Sequence, residues 1–208
     1  MRLLPCGDRA LLVEFESLEH TRAAHASWVS TVPPGVIELV PAARTVLARV
    51  DPAVMGLSAL EQWLTAHAPS TTFVGGLHGT ATVVVPTRYD GDDLDTVADV
   101  WGCSRDAVAA RHSGVEWVCA FIGFAPGFAY LVPTVDSLPP MPRRSTSRPR
   151  VPAGAVALAT EYCGIYPRES PGGWQLIGHT DLALWDADRE APALVTPGTR
   201  VRFEAVRE

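Results

Sequence analysis

The sequence predicts an α+β protein in two parts: a small sheet covered by helices, then a closed or nearly closed barrel of short strands. Three observations lead there. Helical and strand periodicities alternate through roughly the first third of the chain. Short strand-like runs separated by Pro and Gly turns crowd the remainder. Between them, "APSTTFVGGLHG" is turn-rich and aperiodic, so a boundary is expected near residues 69–78, dividing the chain into 1–75 and 76–208.

Each element has its own warrant. "RALLVEF" reads as a strand, and Ser17 to Val32 carries Leu18, Ala24, Trp28 and Val29 at helix-like spacing. "GVIELV" and "TVLARV" read as two strands split by a turn at Pro41. A second helix is expected to open at Asp51 or Pro52, with Leu57, Leu60, Trp63 and Leu64 on one stripe. Two such helices on one face of a small sheet would bury those stripes. The second part opens on the strand "TATVVVPTRY", followed by helices over Asp92 to Trp101 and from Ser104, a good N-cap, to His112. Strands are then expected in "VEWVCAFIGF", "GAVALAT", "GGWQLIG" and "TRVRFEAV".

Composition excludes several functions. All 17 basic residues are arginine. Without lysine the chain holds no Walker-type phosphate loop, Schiff-base lysine or biotinyl-lysine. A formal charge of −6 argues against nucleic acid and anionic membrane as partners. Met1 to Phe15 is broken by Arg2, Pro5, Asp8, Arg9 and Glu14, so it does not read as a signal peptide, and no apolar run is long enough to span a bilayer. Cys6, Cys103, Cys119 and Cys163 form no CxxC pair, which points away from zinc and toward reduced thiols in a cytoplasm.

Four stretches carry candidate chemistry. "LDTVADVWGCSRDAVAARHSG" imitates a helix-turn-helix, but Asp90, Asp92, Asp93 and Asp95 at its start would repel a phosphate backbone, so a structural helix pair is expected. At its end, His112 reads either as a protonated cap on the helix dipole or as a general acid or base. "PRRSTSRPRVPAG" gathers Arg143, Arg144, Arg148 and Arg150 in a proline-stiffened loop with no acid, suited to a carboxylate, a phosphate or the acids of a partner. "FIGFAPGFAYLV" is aromatic and chargeless, and its Gly and Pro content rules out a helix. In "IYPRESPGGW", Pro171 and Gly172 suit a type II turn and Ser170 lacks a nucleophile elbow. Tyr166 and Trp174 either pack or rim a pocket, and Glu169 is the carboxylate available as a base.

These stretches resemble one bacterial family in their order and detail: "HSGVEWVCAFIGFAPGFAYLV", "MPRRSTSRPRVPAGAVALA" and "GIYPRESPGGWQLIGHT", with "CGDRALLVEF" and "ELVPAARTVLARVDP" fitting its opening. Its members are known as the B component of 5-oxoprolinase, allophanate hydrolase subunit 1 or KipI-type sporulation-kinase inhibitors. Related sequences form carboxyltransferase regions of urea carboxylase. The resemblance implies a ferredoxin-like N-terminal domain and a cyclophilin-like β-barrel. It also implies a larger partner subunit, a third subunit in the full enzyme, and ATP-dependent opening of 5-oxoproline to glutamate. The other activities it allows are inhibition of a histidine kinase and a biotin-dependent carboxyltransfer role.

The matching positions are His112, Gly123 to Leu131, Arg143, Arg150, Pro152 to Gly154, Tyr166 and Ser170 to Trp174. They imply a groove for a small anionic substrate, formed by Phe121, Phe124, Pro126, Gly127, Phe128, Tyr130, Tyr166, Ser170, Gly172, Gly173 and Trp174. Arg143 or Arg150 would polarise the substrate there, and His112 or Glu169 would move protons. No motif for ATP is visible, so the partner would hold it or share it. The chain departs from the family at Ala129, where proline is usual, at Ala155, where serine is usual, and at His179, where arginine is usual.

Overall fold

The computed structural model describes residues 1–69, 82–135 and 138–206. Most of the expected boundary segment lies outside them. The chain forms two compact units, Met1–Gly76 and Leu77–Glu208.

The first unit runs β1 (Arg2–Pro5), β2 (Ala10–Glu14), α1 (Leu18–Val29), β3 (Val36–Pro41), β4 (Thr45–Val50) and α2 (Leu57–Ala66). Its strands pair antiparallel in the order β1-β2-β4-β3. Along β4 the period of two buries Val46, Ala48 and Val50. These meet Trp28 of α1 and Leu60 and Leu64 of α2 in one core. The Trp28 Nε1–H donates to the Leu64 carbonyl at 3.1 Å, which ties the two helices together. Ser17 caps α1, its hydroxyl accepting from the His20 N–H.

Two features of this unit differ from the sequence reading. The strand β1 has no counterpart in the sequence pattern, because "RLLPCGDR" is short and interrupted by Pro5, yet it pairs with β2 as a hairpin. The helix α2 starts at Leu57 rather than Asp51, because the Asp51 carboxylate accepts from the Ala53 N–H and closes a turn instead.

The second unit runs β5 (Thr82–Thr87), α3 (Leu94–Trp101), α4 (Arg105–Ser113), β6 (Trp117–Ile122), β7 (Ala129–Pro133), β8 (Arg148–Val151), β9 (Ala155–Ala159), β10 (Tyr162–Ile165), β11 (Ser170–Gly172), β12 (Gln175–His179) and β13 (Arg200–Ala205). Seven strands form one sheet in the order β12-β9-β10-β7-β6-β13-β5, with only β5 and β13 parallel among the described pairs. Arg88, just past β5, exchanges backbone hydrogen bonds of 2.9 Å in both directions with His179 of β12. The two ends of the sheet meet there, giving a nearly closed barrel. A separate ribbon pairs β8 with β11.

The helix-turn-helix likeness is structural, as expected. Leu94, Val97, Trp101 and Val108 of α3 and α4 sit in the barrel-unit core beside Val156, Leu158, Ile177 and Phe203. The aromatic loop is the turn of a hairpin, with β6 running into it and β7 leaving it. Strand β9 is buried along its whole length, and its alternation explains how. Val156 and Leu158 enter the main core, whereas Ala155, Ala157 and Ala159 face the other way beneath Phe128, Tyr166 and Trp174. Small residues on that face leave room for the large rings.

Candidate functional site

A cavity of about 490 Å³ opens beside Ala159, among those rings. Its lining is Phe124 and Phe128 from the aromatic hairpin, Tyr130 of β7, Arg143 and Ser147 from the arginine loop, and Ala159, Thr160, Tyr162 and Tyr166 around β10. Pro171, Gly172, Gly173 and Trp174 complete it. Three segments far apart in sequence thus share one concavity. The β8–β11 ribbon is one cause, since it sets Arg148–Val151 beside Ser170–Gly172.

The walls are rings held edge to face. Phe128 meets Tyr166 at 5.3 Å and Trp174 at 5.5 Å, and Tyr130 meets Trp174 at 5.6 Å and Tyr162 at 5.7 Å. Such pairs contribute about 0.5–1.5 kcal/mol each beyond simple burial, which makes the wall stiff. Phe124 closes the mouth with 59% of its surface exposed and a left-handed backbone at φ 67°. An aromatic residue in that region is strained, a condition concentrated at binding sites. Hydrogen bonds within the loop, from Ala125 N–H to the Gly123 carbonyl and from Phe128 N–H to the Ala125 carbonyl, hold it.

Among the described lining residues, formal charge comes from a single side chain, Arg143. The arginine loop as a whole is not a free cluster of cations. Arg144 Nη1 lies 2.5 Å from Asp93 Oδ1, and Arg148 brackets the same carboxylate with contacts of 2.8 and 2.9 Å. The Leu176 N–H donates to Asp93 Oδ2 at 2.7 Å. Burial works against the charge on Asp93. The Arg148 hydrogen bond, the Leu176 N–H and the two guanidinium charges outweigh it and hold the carboxyl below its usual range. In the sequence Asp93 stands out only as a repulsive charge before a helix, because its partners lie some fifty residues away or more. Among the described residues no carboxylate pairs with Arg143.

The other expected catalytic residues lie elsewhere. Arg150 points to solvent, 3.7 Å from Glu169, which is also exposed, and neither lines the cavity. His112 is fully buried. Its Nδ1 is 2.8 Å from the Tyr89 hydroxyl and its Nε2 is 3.2 Å from Cys163 Sγ, with the Phe203 ring 4.4 Å away. Burial pushes its pKa down to about 3, so the imidazole is neutral. Neither expectation for His112 survives: it reaches no groove, and it is not a protonated helix cap.

Among the expected groove residues, Phe124, Phe128, Tyr130, Tyr166, Gly172, Gly173 and Trp174 line the cavity. Phe121 stacks behind Tyr130 at 4.3 Å and supports it. Pro126 stands away from the lining, and Gly127 packs beneath Trp185. The Ser170 hydroxyl turns to the Arg168 carbonyl at 3.0 Å. Ser147, Thr160 and Tyr162 join the lining without any forewarning in the sequence, since hydroxyl residues in turns and hairpins carry no periodic signal. Ala129, Ala155 and His179, the departures from the family pattern, are all outside the lining.

The tyrosines supply neutral donors. Burial raises the pKa of Tyr130, Tyr162 and Tyr166, and the charge of Arg143 offsets this only in part at Tyr130 and Tyr166. Among the described lining residues none is Asp, Glu or His. The cavity therefore offers one fixed cation, several hydroxyl donors and flat apolar walls, the composition of a small-ligand site.

Comparison with known proteins agrees with this architecture. The family model described as "Carboxyltransferase domain, subdomain C and D" matches residues 1–195. The B component of the Escherichia coli O157:H7 5-oxoprolinase is 40% identical over 189 residues, covering 84% of this chain and 80% of that protein. The crystal structure of TTHA0988 is similar with a TM-score of 0.77 at 35% identity, over 96% of this chain. This chain spans only 40% of the length of TTHA0988. The Kluyveromyces lactis urea carboxylase shares the fold, with a TM-score of 0.78 at 22% identity over 99% of this chain and 22% of its own. With its model matched from the first residue to position 195, the chain belongs to the carboxyltransferase domain, subdomain C and D family.

Proposed function

We propose that this chain is the substrate-holding subunit of an ATP-dependent amidohydrolase of the 5-oxoprolinase type, opening 5-oxoproline to glutamate. One observation carries the reading: the cavity presents Arg143 to a small anion, while its described lining contains no acid or base to move protons. Arg143 takes the carboxylate of the substrate in its guanidinium fork, and the aromatic walls hold the flat ring. Water activation and ATP come from a larger partner subunit, with a third subunit in the full assembly. The Escherichia coli relative supports this division of labour by its name, which makes it one component of a 5-oxoprolinase. On this reading the complex works in the cytoplasm. The first unit is then ferredoxin-like, with β1 at the sheet edge beside β2, and the barrel is cyclophilin-like.

The test is reconstitution with the larger and third subunits, assaying glutamate release from 5-oxoproline with and without ATP. Release dependent on ATP and on this chain is expected. Arg143→Ala should lower kcat/KM by at least roughly 100-fold, the low end for two charge-assisted hydrogen bonds. No glutamate with all subunits present would overturn the reading.

A further inference from the structure

The polar end of the cavity is built on two consecutive glycines. A side chain on Gly172 would strike the Tyr166 hydroxyl and meet its Cζ at 2.8 Å. One on Gly173 would meet Ser147 Oγ at 3.0 Å and Arg143 Nη2 at 3.6 Å. A phenol, a hydroxyl and a guanidinium therefore line one cavity around two residues of bare backbone. They reach that spot from separate segments: Tyr166 follows β10, while Arg143 and Ser147 belong to the arginine loop.

The phenol is the best placed of the three to polarise a ligand. Its ring is buried and wedged edge-on against Phe128 and Phe124, so its direction is set by packing. Its hydroxyl lies directly against the backbone at Gly172. A phenol among the lining groups can donate its proton to a ligand held in the cavity. Burial keeps the group a phenol beyond the ordinary tyrosine range despite Arg143.

We propose that Tyr166, seated over Gly172, donates a hydrogen bond to the carbonyl oxygen of the ligand whose carboxylate Arg143 holds, with Ser147 as an auxiliary donor. The cavity then selects small molecules bearing a carboxylate and an amide carbonyl at the two ends of one ring. The inference rests on the functional reading above and deepens it. Tyr166 is a substrate-contacting residue that polarises the bond to be opened, and the proton chemistry remains with the partner.

The experiment is calorimetric titration of the full chain with three probes. L-5-oxoproline has both groups, L-proline lacks the carbonyl, and 2-pyrrolidinone lacks the carboxylate. Tyr166→Phe deletes only the hydroxyl and leaves the ring, and circular dichroism establishes that the variant is folded. It should weaken 5-oxoproline and 2-pyrrolidinone about 3- to 10-fold, the worth of one neutral hydrogen bond, and leave proline unchanged. Gly172→Ala should reproduce that pattern, because its methyl group takes the hydroxyl's position. Arg143→Ala should instead weaken 5-oxoproline and proline. Unchanged 5-oxoproline affinity in Tyr166→Phe, an equal loss for proline, or no binding of any probe to the parent chain would overturn the proposal. The expected binding pattern without ATP-dependent glutamate release by the full assembly would leave the cradle standing and sink only the enzymatic reading.

Discussion

At the scale of single residues, His112 shows how burial reverses a sequence-level expectation. The same imidazole at the end of an exposed helix would be charged and stabilised by the dipole. Here it is enclosed by Tyr89, Cys163, Trp117 and Phe203 and stays neutral. The unfolded imidazole takes a proton near pH 6.5, whereas the folded one does so only near 3. Stability should therefore fall as pH drops below about 6.5, by up to roughly 1.4 kcal/mol per pH unit. Urea unfolding between pH 7 and about 5, above the range where most carboxylates protonate, reads this slope. His112→Asn should flatten it, with His25, whose pKa burial also lowers, still contributing in the same direction. An equal slope in the variant would show that His112 titrates normally.

At the scale of elements, Asp93 organises the site without touching it. Standing at the head of α3, it receives Arg144 and Arg148 from the arginine loop and the Leu176 N–H from β12. Two of the four loop arginines are thus committed to structure, and Arg143 is the one that lines the cavity. Asp93→Asn should destabilise the second unit by about 3 kcal/mol, the low end for breaking a buried ion pair because Arg144 is a third exposed. The carboxyl is held below its usual range, so its stabilisation is present above the unfolded value of about 3.9. It is lost as pH falls through the lower folded value. Denaturant curves at pH 7 and at pH 3 check both claims: the gap between parent and variant should be wide at the first and narrow at the second. A gap of equal size at both would mean that the charge is immaterial.

At the scale of the whole molecule, each unit reaches stability by its own route. The first buries helices on one face of an antiparallel sheet, and the second wraps seven strands until their ends meet. The meeting point is a pair of hydrogen bonds between Arg88 and His179, reinforced where the His179 Nδ1–H donates to Asp90 at 2.8 Å. If the barrel is closed there in solution, the amides of Arg88 and His179 should exchange with deuterium as slowly as those of the central strands β7 and β10. Exchange at the rate of an exposed edge would mean that the sheet stands open.

Local chemistry alone determined a good part of this protein. The period of two in "TVLARV", the Ser104 cap and the Pro-Gly punctuation of the second half each act within a few residues, so they are legible in order. The absence of lysine likewise removes whole classes of chemistry without reference to any fold. Tertiary structure alone decided which of several similar side chains face the cavity. By residue type and loop position Arg143, Arg144, Arg148 and Arg150 are alike; the family resemblance sets Arg143 and Arg150 apart, but it is the position of Asp93 that ties down Arg144 and Arg148, and of the four only Arg143 lines the cavity. Tyr166 and Gly172 acquire meaning only as a pair, since one fills the space that the other leaves empty. The physical reason is the range of the forces: backbone preference is settled between neighbours along the chain, whereas burial and charge pairing are settled between neighbours in space.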